Sequence, residues 1–189
     1  VFPESDIKIA RWGVDSEVFH PGDKDPRFTI LFVGGDPIRK GLVYLLRAIP
    51  ELFKEYDFQI IVVGCKVGAG HSSITELGMI PHADMPALMR RVHVLVLPTL
   101  EDGIAVSVQE AMASGVVPIT THECAEVFED KISGFEVPYR STEEIVKRLR
   151  GLLDDEDMLR DMSSQARLVA EKQTWGRFRS EFADAIRGL

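Results

Sequence analysis

Positive charge is scarce in this sequence: 22 Lys and Arg face 30 Asp and Glu among 189 residues, for a net charge of −8. That balance argues against a broad nucleic-acid or anionic-membrane surface, while leaving room for a local basic pocket. Cysteine is almost absent. Cys65 and Cys124 lie far apart and in no metal-ligand spacing. Two such thiols build no disulfide scaffold and point to a reducing compartment, with Cys65 read as a buried free thiol behind an apolar run. No apolar run approaches the roughly 18 residues that cross a bilayer. Signal peptide, initiator methionine, internal repeats and low-complexity segments are all missing, and the abrupt start at Val1 reads as that of a piece of something longer. The five histidines are scattered. His71, His82 and His122 fall in loops with no Ser or Cys partner at a catalytic spacing, and His93 lies inside a strand pattern, where a hydrogen-bonded core role is expected. Asp155-Glu156-Asp157 has an acid-x-acid spacing, but acids are ordinary where a helix begins, so no metal site is expected there.

What is present is 45% apolar residues and a mean hydropathy of zero. This suits a soluble globule of one domain with a sizeable core, or of two small ones. Phe28–Gly34, Phe58–Gly64 and Val92–Pro98 read as buried strands rich in β-branched residues, with shorter strand-like runs at 74–80, 116–120 and 135–138. Helical periodicity runs from Lys40 to Tyr56, and Asp84 is placed to cap a short helix with Pro86 in its first turn. Ser141-Thr142-Glu143-Glu144 has the spacing of a capping box, for a helix running to about Leu153. Two amphipathic helices follow over 156–172 and 175–188. Trp12 and Trp175 read as packing anchors, one near each end. Strands apolar on both faces, alternating with helices, imply an α/β fold: a Rossmann-like parallel sheet covered by helices on both sides. Ligands of such sheets bind at the carboxyl ends of the strands, so the loops after Gly34, Gly64, Leu77 and Pro98 matter most.

Two of those loops carry candidate chemistry. In EDGIAVSVQEAMASG (101–115), a helix over about 104–114 puts Ile104, Val108, Ala111 and Met112 on one apolar face, with Ser107, Glu110 and Ser114 as a narrow polar stripe and Gly115 as terminator. A buried carboxylate needs partners. Glu110 is therefore either a satisfied core residue or a cleft residue that accepts hydroxyl donors from a ligand. Gly103 permits close backbone approach, and the amides of Ile104, Ala105 and Val106 suit an anion; Glu101 and Asp102 suit the helix dipole equally. In GGDPIRKG (34–41), paired glycines precede Arg39 and Lys40, which read either as an anion site or as two solvated surface charges. The spacing matches neither a Walker loop nor a dinucleotide fingerprint, and the glycines of GCKVGAG (64–70) match neither pattern.

The order of these segments resembles the donor-binding, C-terminal domain of the GT-B retaining glycosyltransferases of family 4 (group 1). The segments that carry the resemblance are IARWGVDSEVFHPG (9–22), FVGGDPIRKG, IIVVG, LGMIPHADMPALMRRVHVLVLPT, EDGIAVSVQEAMASGVVPIT and ISGFEVP. It implies residues 1–27 as an interdomain lead-in, 28–172 as the nucleotide-sugar domain and 173–189 as a helix returning toward an N-terminal acceptor domain. That domain would precede Val1, so the chain alone is expected to bind donor without turnover and to expose an apolar patch on its last helix. Asp102 and Glu110 match the family's acid-x7-E motif. The resemblance implies that Glu110 binds the donor ribose, that Asp102 and the Gly103–Val106 amides meet the sugar and distal phosphate, and that Lys40, helped by Arg39, neutralises the diphosphate. Gly34 and Gly35 would admit it, and the base would rest on Met79 and Ile80. No metal or cofactor is implied beyond a UDP-, GDP- or ADP-sugar donor, with a saccharide, lipid or other acceptor, in the cytoplasm. There are departures: Asp102 is one methylene shorter than the commoner Glu, Gly35 replaces an arginine, His93 replaces an aspartate, and THECAE (121–126) replaces a glycine-rich loop, with Glu126 matching its glutamate. The rival readings are a sugar-nucleotide epimerase half of the same fold and a non-catalytic nucleotide- or phosphate-binding module with a flavodoxin-like sheet.

Overall fold

The computed structural model describes residues 10–103 and 106–187. The strands are β1 (Phe28–Val33), β2 (Phe58–Val63), β3 (Ile74–Gly78), β4 (Val94–Leu97), β5 (Val117–Thr120) and β6 (Phe135–Glu136), with helices α1 (Leu42–Leu52), α2 (Met85–Arg91), α3 (Val106–Ala113), α4 (His122–Ala125), α5 (Thr142–Asp154), α6 (Glu156–Glu171) and α7 (Trp175–Arg187). All six strands join one sheet in the order β3-β2-β1-β4-β5-β6, and every pairing is parallel. The burial follows from the sequence. Every residue of β4 and β5 is buried, as a strand covered on both faces requires. Edge strand β3 instead alternates half-buried with exposed residues until Gly78.

Chain order runs outward from β1 through β2 to β3, and then returns to β4 on the other side of β1. The connections leaving β1 and β4 therefore diverge, which opens a crevice at their carboxyl ends. Gly41 shapes this point. Its φ is +77°, and a Cβ there would lie 2.0 Å from the Pro98 carbonyl oxygen after β4, so the two loops touch only because residue 41 has no side chain. Its left-handed backbone also starts α1 at Leu42, later than the periodicity from Lys40 implies. Beyond Leu52 the helix tightens, the amides of Lys54 and Glu55 bonding to the carbonyls of Glu51 and Leu52.

The caps divide in two. Ser141 Oγ accepts from the Glu144 amide at 3.3 Å, as the sequence implies, and Asp155 likewise accepts from that of Met158 at 2.9 Å. Glu144 does not complete the box; its carboxylate pairs with Lys147 and Arg148. Asp84 precedes α2 but makes no side-chain cap, because its φ of −88° and ψ of −16° are already helical, whereas a capping side chain needs an extended backbone.

Residues 10–27 pack onto the sheet's helices. Val14 bonds its amide to the Gln173 carbonyl at 2.8 Å, and Arg167 Nη1 donates to the carbonyls of Ser16, Phe19 and Ala113. Trp12 and Trp175 pack on each other, centroids 6.4 Å apart. Both stay partly exposed, and α7 has no buried residue, so Phe182 and Ile186 face solvent.

His93 stacks on Phe28 and its Nδ1 accepts from the Thr29 amide at 3.0 Å. Burial first, then the charge of Lys24, pushes its pKa down to about 4. A histidine held neutral this way lends stability that is complete above its unfolded value near 6.5 and is lost as pH falls toward 4, because only the unfolded chain binds the proton in that window. His93→Asn, which keeps an acceptor near Nδ1, is expected to flatten the fall in Tm between pH 6.5 and 4 relative to wild type. Gly41→Ala is expected to lose more than about 2 kcal/mol in urea unfolding, from strain and the clash with Pro98.

Candidate functional site

Beyond β1 the chain turns on Asp36, whose Oδ1 accepts from the amides of Ile38 and Arg39 at 3.0 Å each. The Arg39 amide is the main cause holding this carboxyl below its usual range. The turn directs Lys40 back across Gly34, where a Cβ would lie 2.8 Å from the lysine stem. Lys40 Nζ bonds to Asp102 Oδ2, from the loop after β4, with side chains only 17% and 12% exposed. This pair bridges the crevice. Asp102 Oδ1 takes the Gly103 amide at 3.0 Å, and Oδ2 also accepts from Cys124 Sγ at 3.7 Å. Burial, then the Asp102 charge, pushes the Cys124 thiol up to about 12; it stays protonated, a donor. Arg39 is exposed at the rim, its Nη1 on the Glu101 carbonyl at 3.2 Å and its Nε 3.8 Å from Asp36.

The apolar face of α3 is as its pattern implies, but the polar stripe is not: Ser114 is fully buried beyond the helix end with its hydroxyl unpaired among the described residues, and Gln109, outside the stripe, is a fully buried polar residue. Val108, Ala111 and Met112 are fully buried, and Gly115 closes the helix at φ +66°. Ile104 and Ala105 lie outside the described residues. Glu110 is 6% exposed, and it meets both of the conditions open to it. Its Oε1 bonds to His82 Nε2 at 2.7 Å, and it lines a cleft of about 360 Å³ together with Gly34, Gly35, Met79, Ile80 and Val106. Burial raises its pKa, while the hydrogen bond and charge of His82 oppose the rise. Gly35 has nothing nearer than the Gly64 carbonyl at 3.8 Å to a Cβ, and Gly103 nothing within 4 Å. Neither glycine is required by packing among the described residues.

Other candidates separate from this cluster. The amides of Val67 and Gly68, after β2, each bond to Glu76 at 3.0 Å, so they are unavailable to a phosphate. Glu126 is exposed and 3.6 Å from Arg11, and Glu123 accepts from Tyr139 Oη. A larger groove, about 530 Å³, lies at the opposite, amino edge of the sheet among Lys24, Phe28, His93 and Ser163. It contains none of the cleft residues, and chemistry at strand carboxyl ends favours the smaller cleft. Sequence reasoning did not find the two partners His82 and Cys124. Neither carried a local signal in the sequence. No group of three or more metal-ligating side chains occurs among the described residues, and no helix among them is long and apolar enough to cross a membrane.

Comparison with known proteins gives a consistent result. The chain is 24% identical over 175 residues to an uncharacterized glycosyltransferase of Methanocaldococcus jannaschii, covering 85% of the chain and 45% of that protein. It thus spans less than half the length of such a relative. Its fold matches the C-terminal domain of a glycosyl transferase group 1 family protein (LpcC) from Francisella tularensis, with TM-score 0.77, 21% identity and coverage of 85% and 98% of the two chains. It also matches HepE of Anabaena, solved in complex with UDP-glucose, with TM-score 0.80, 15% identity and coverage of 94% and 56%. The family described as Glycosyl transferases group 1 matches residues 27–155, the sheet and the crevice together, and the chain belongs to that family.

Proposed function

We propose that this chain is the donor-binding half of a glycosyltransferase of family 4 that moves a hexose from a nucleotide-sugar to an acceptor with retention of anomeric configuration. The observation that carries this is Glu110: a carboxylate buried on a largely apolar helix, yet lining an open cleft between strand-end glycines. A vicinal diol such as ribose is a suitable pair of donors for it. The base would lie against Met79 and Ile80, and the diphosphate would pass Gly34, over which the Lys40 stem lies, and Gly35, whose open backbone favours close approach. The relative solved with UDP-glucose has the same fold, which agrees with a donor of this class.

Catalysis of such a transfer rests on stabilising charge on the departing diphosphate. Lys40 is the main cation for this. In the free chain Asp102 neutralises it; a bound diphosphate would share that lysine, leaving Asp102 to orient the sugar with Gly103 and the amides reaching to Ile104, Ala105 and Val106. Arg39 can swing in from the rim. In this proposal residues 1–27 are the lead-in, 28–172 the nucleotide-sugar domain and 173–189 the returning helix, while the acceptor is held by a partner domain, in the cytoplasm.

Calorimetric titration with UDP, GDP and ADP tests the proposal. One of them is expected to bind saturably. Glu110→Gln keeps an acceptor for His82, so it should leave Tm unchanged while weakening binding roughly ten- to a hundredfold, the scale of lost hydrogen bonds to a charged group. Lys40→Ala should weaken binding at least as much and also lower Tm, because it strands Asp102. No binding at millimolar nucleotide, or a Glu110→Gln variant that unfolds more easily but binds normally, would refute the donor site. The chain alone is expected to show no sugar transfer above background, and a measurable rate would refute its being only half of the catalytic unit.

A further inference from the structure

Glu110 is held by a residue that no sequence motif marks. His82 sits on the short turn His82–Asp84 between β3 and α2, with its side chain 73% exposed, directly over a carboxylate that is 8% exposed. A carboxylate can only accept, so Nε2 carries the proton of the 2.7 Å bond to Oε1. The imidazole has a firm backing. The ring of Phe19, itself buried, lies 5.7 Å away, and its backbone is tied down at the carbonyl by Arg167 and at the amide by Asp15. Oε2 accepts no hydrogen bond among the described residues, and the rest of the cleft wall brings no charge: Gly34, Gly64, Ile80, Met85 and Ser107 surround it, and His82 is its one other titratable residue. Asp84, on the same turn, is exposed.

We propose that His82 is the positioning residue of the donor site: by holding Oε1 it fixes the carboxylate plane and presents Oε2 to the ribose hydroxyls. The inference rests on the ribose role of Glu110 proposed above. Its physical content is that one oxygen is committed within the chain and the other reserved for ligand, so two hydroxyls must share a defined acceptor. A second consequence concerns ionisation. Burial favours the protonated acid, and His82 is the group that opposes it. Without His82 the carboxyl protonates at higher pH and loses its capacity to accept from both hydroxyls.

The experiment compares wild type, His82→Ala and His82→Gln. The first readout needs no ligand: the Glu110 side-chain carboxyl is titrated by 13C NMR. The second is binding of whichever of UDP, GDP and ADP the wild type binds, together with its 2′-deoxy counterpart, as a function of pH. In His82→Ala the Glu110 titration is expected to move up. Binding of the ribonucleotide should weaken about tenfold at neutral pH, in keeping with a lost hydrogen bond to a charged group. The preference for ribose over deoxyribose should shrink, and the pH below which binding fails should rise. His82→Gln, which retains an N–H donor, should recover most of the affinity. His82→Gln is expected to keep the wild-type Tm, while His82→Ala, which strands the buried Glu110 carboxylate, is expected to fold with a lowered Tm at neutral pH. An unmoved Glu110 titration, or a ribose preference unaffected by His82→Ala, overturns the positioning role. A wild type that binds no nucleotide brings down the donor reading itself, and so separates the two failures.

Discussion

A parallel sheet that reverses its direction of growth must leave a gap where the reversal occurs, and in this chain the gap is spanned by one ion pair. Lys40 arrives from the end of β1 and Asp102 from the end of β4, neighbours in the sheet whose outgoing connections part in opposite directions. The lysine stem lies over Gly34, and Gly41 touches the Pro98 carbonyl, so backbone and side chain bind the two loops together at once. Everything else at the carboxyl edge is arranged about that junction. Cys124 reaches Asp102 from α4, and the Leu100 amide and Thr99 hydroxyl both bond to the Arg39 carbonyl. A dianionic ligand entering there meets a cation already in place and an anion that must adjust.

The second constraint is the apolar character of α3. A helix with buried residues from Val108 to Ala113 holds polar groups at a cost that hydrogen-bond partners offset. Gln109 has them on its amide nitrogen, which donates to the Trp12 carbonyl and to Gln173 and thereby fastens residues 10–27 to the domain, while its Oε1 has no partner among the described residues. Glu110, on the neighbouring side, has its partner in His82. Two adjacent polar residues thus look in different directions, one toward the structure and one toward the cleft. The same helix that forms part of the core delivers a carboxylate to the crevice, which links stability of the sheet to geometry of the site.

Much of this was legible in the residues. Strands β1 and β2 are marked by β-branched runs ending in glycine, and the apolar face of α3 at Val108, Ala111 and Met112 follows from spacing alone. Ser141 caps as expected because a cap depends on residues three apart. What remained hidden depends on how loops close in space. His82 and Glu110 are 28 residues apart and Cys124 and Asp102 22 apart, and nothing local in either pair foretells the contact. The start of α1 was misplaced because Gly41 takes its conformation from Pro98, on a distant strand. Asp84 failed as a cap because the turn before it was already helical. Trp12 and Trp175, near opposite ends of the sequence, form one contact that spacing does not foretell.

The central claim is that a nucleoside diphosphate occupies the crevice between β1 and β4. The most direct test is backbone amide chemical-shift mapping of the chain during titration with UDP, GDP and ADP. The account predicts that the shifts concentrate at Gly34, Gly35, Gly64, Met79, Ile80, Gly103 and Glu110, with the side of the sheet near Phe28, His93 and Gly115 unaffected. Shifts gathered instead at that amino edge, around the larger groove, would contradict it.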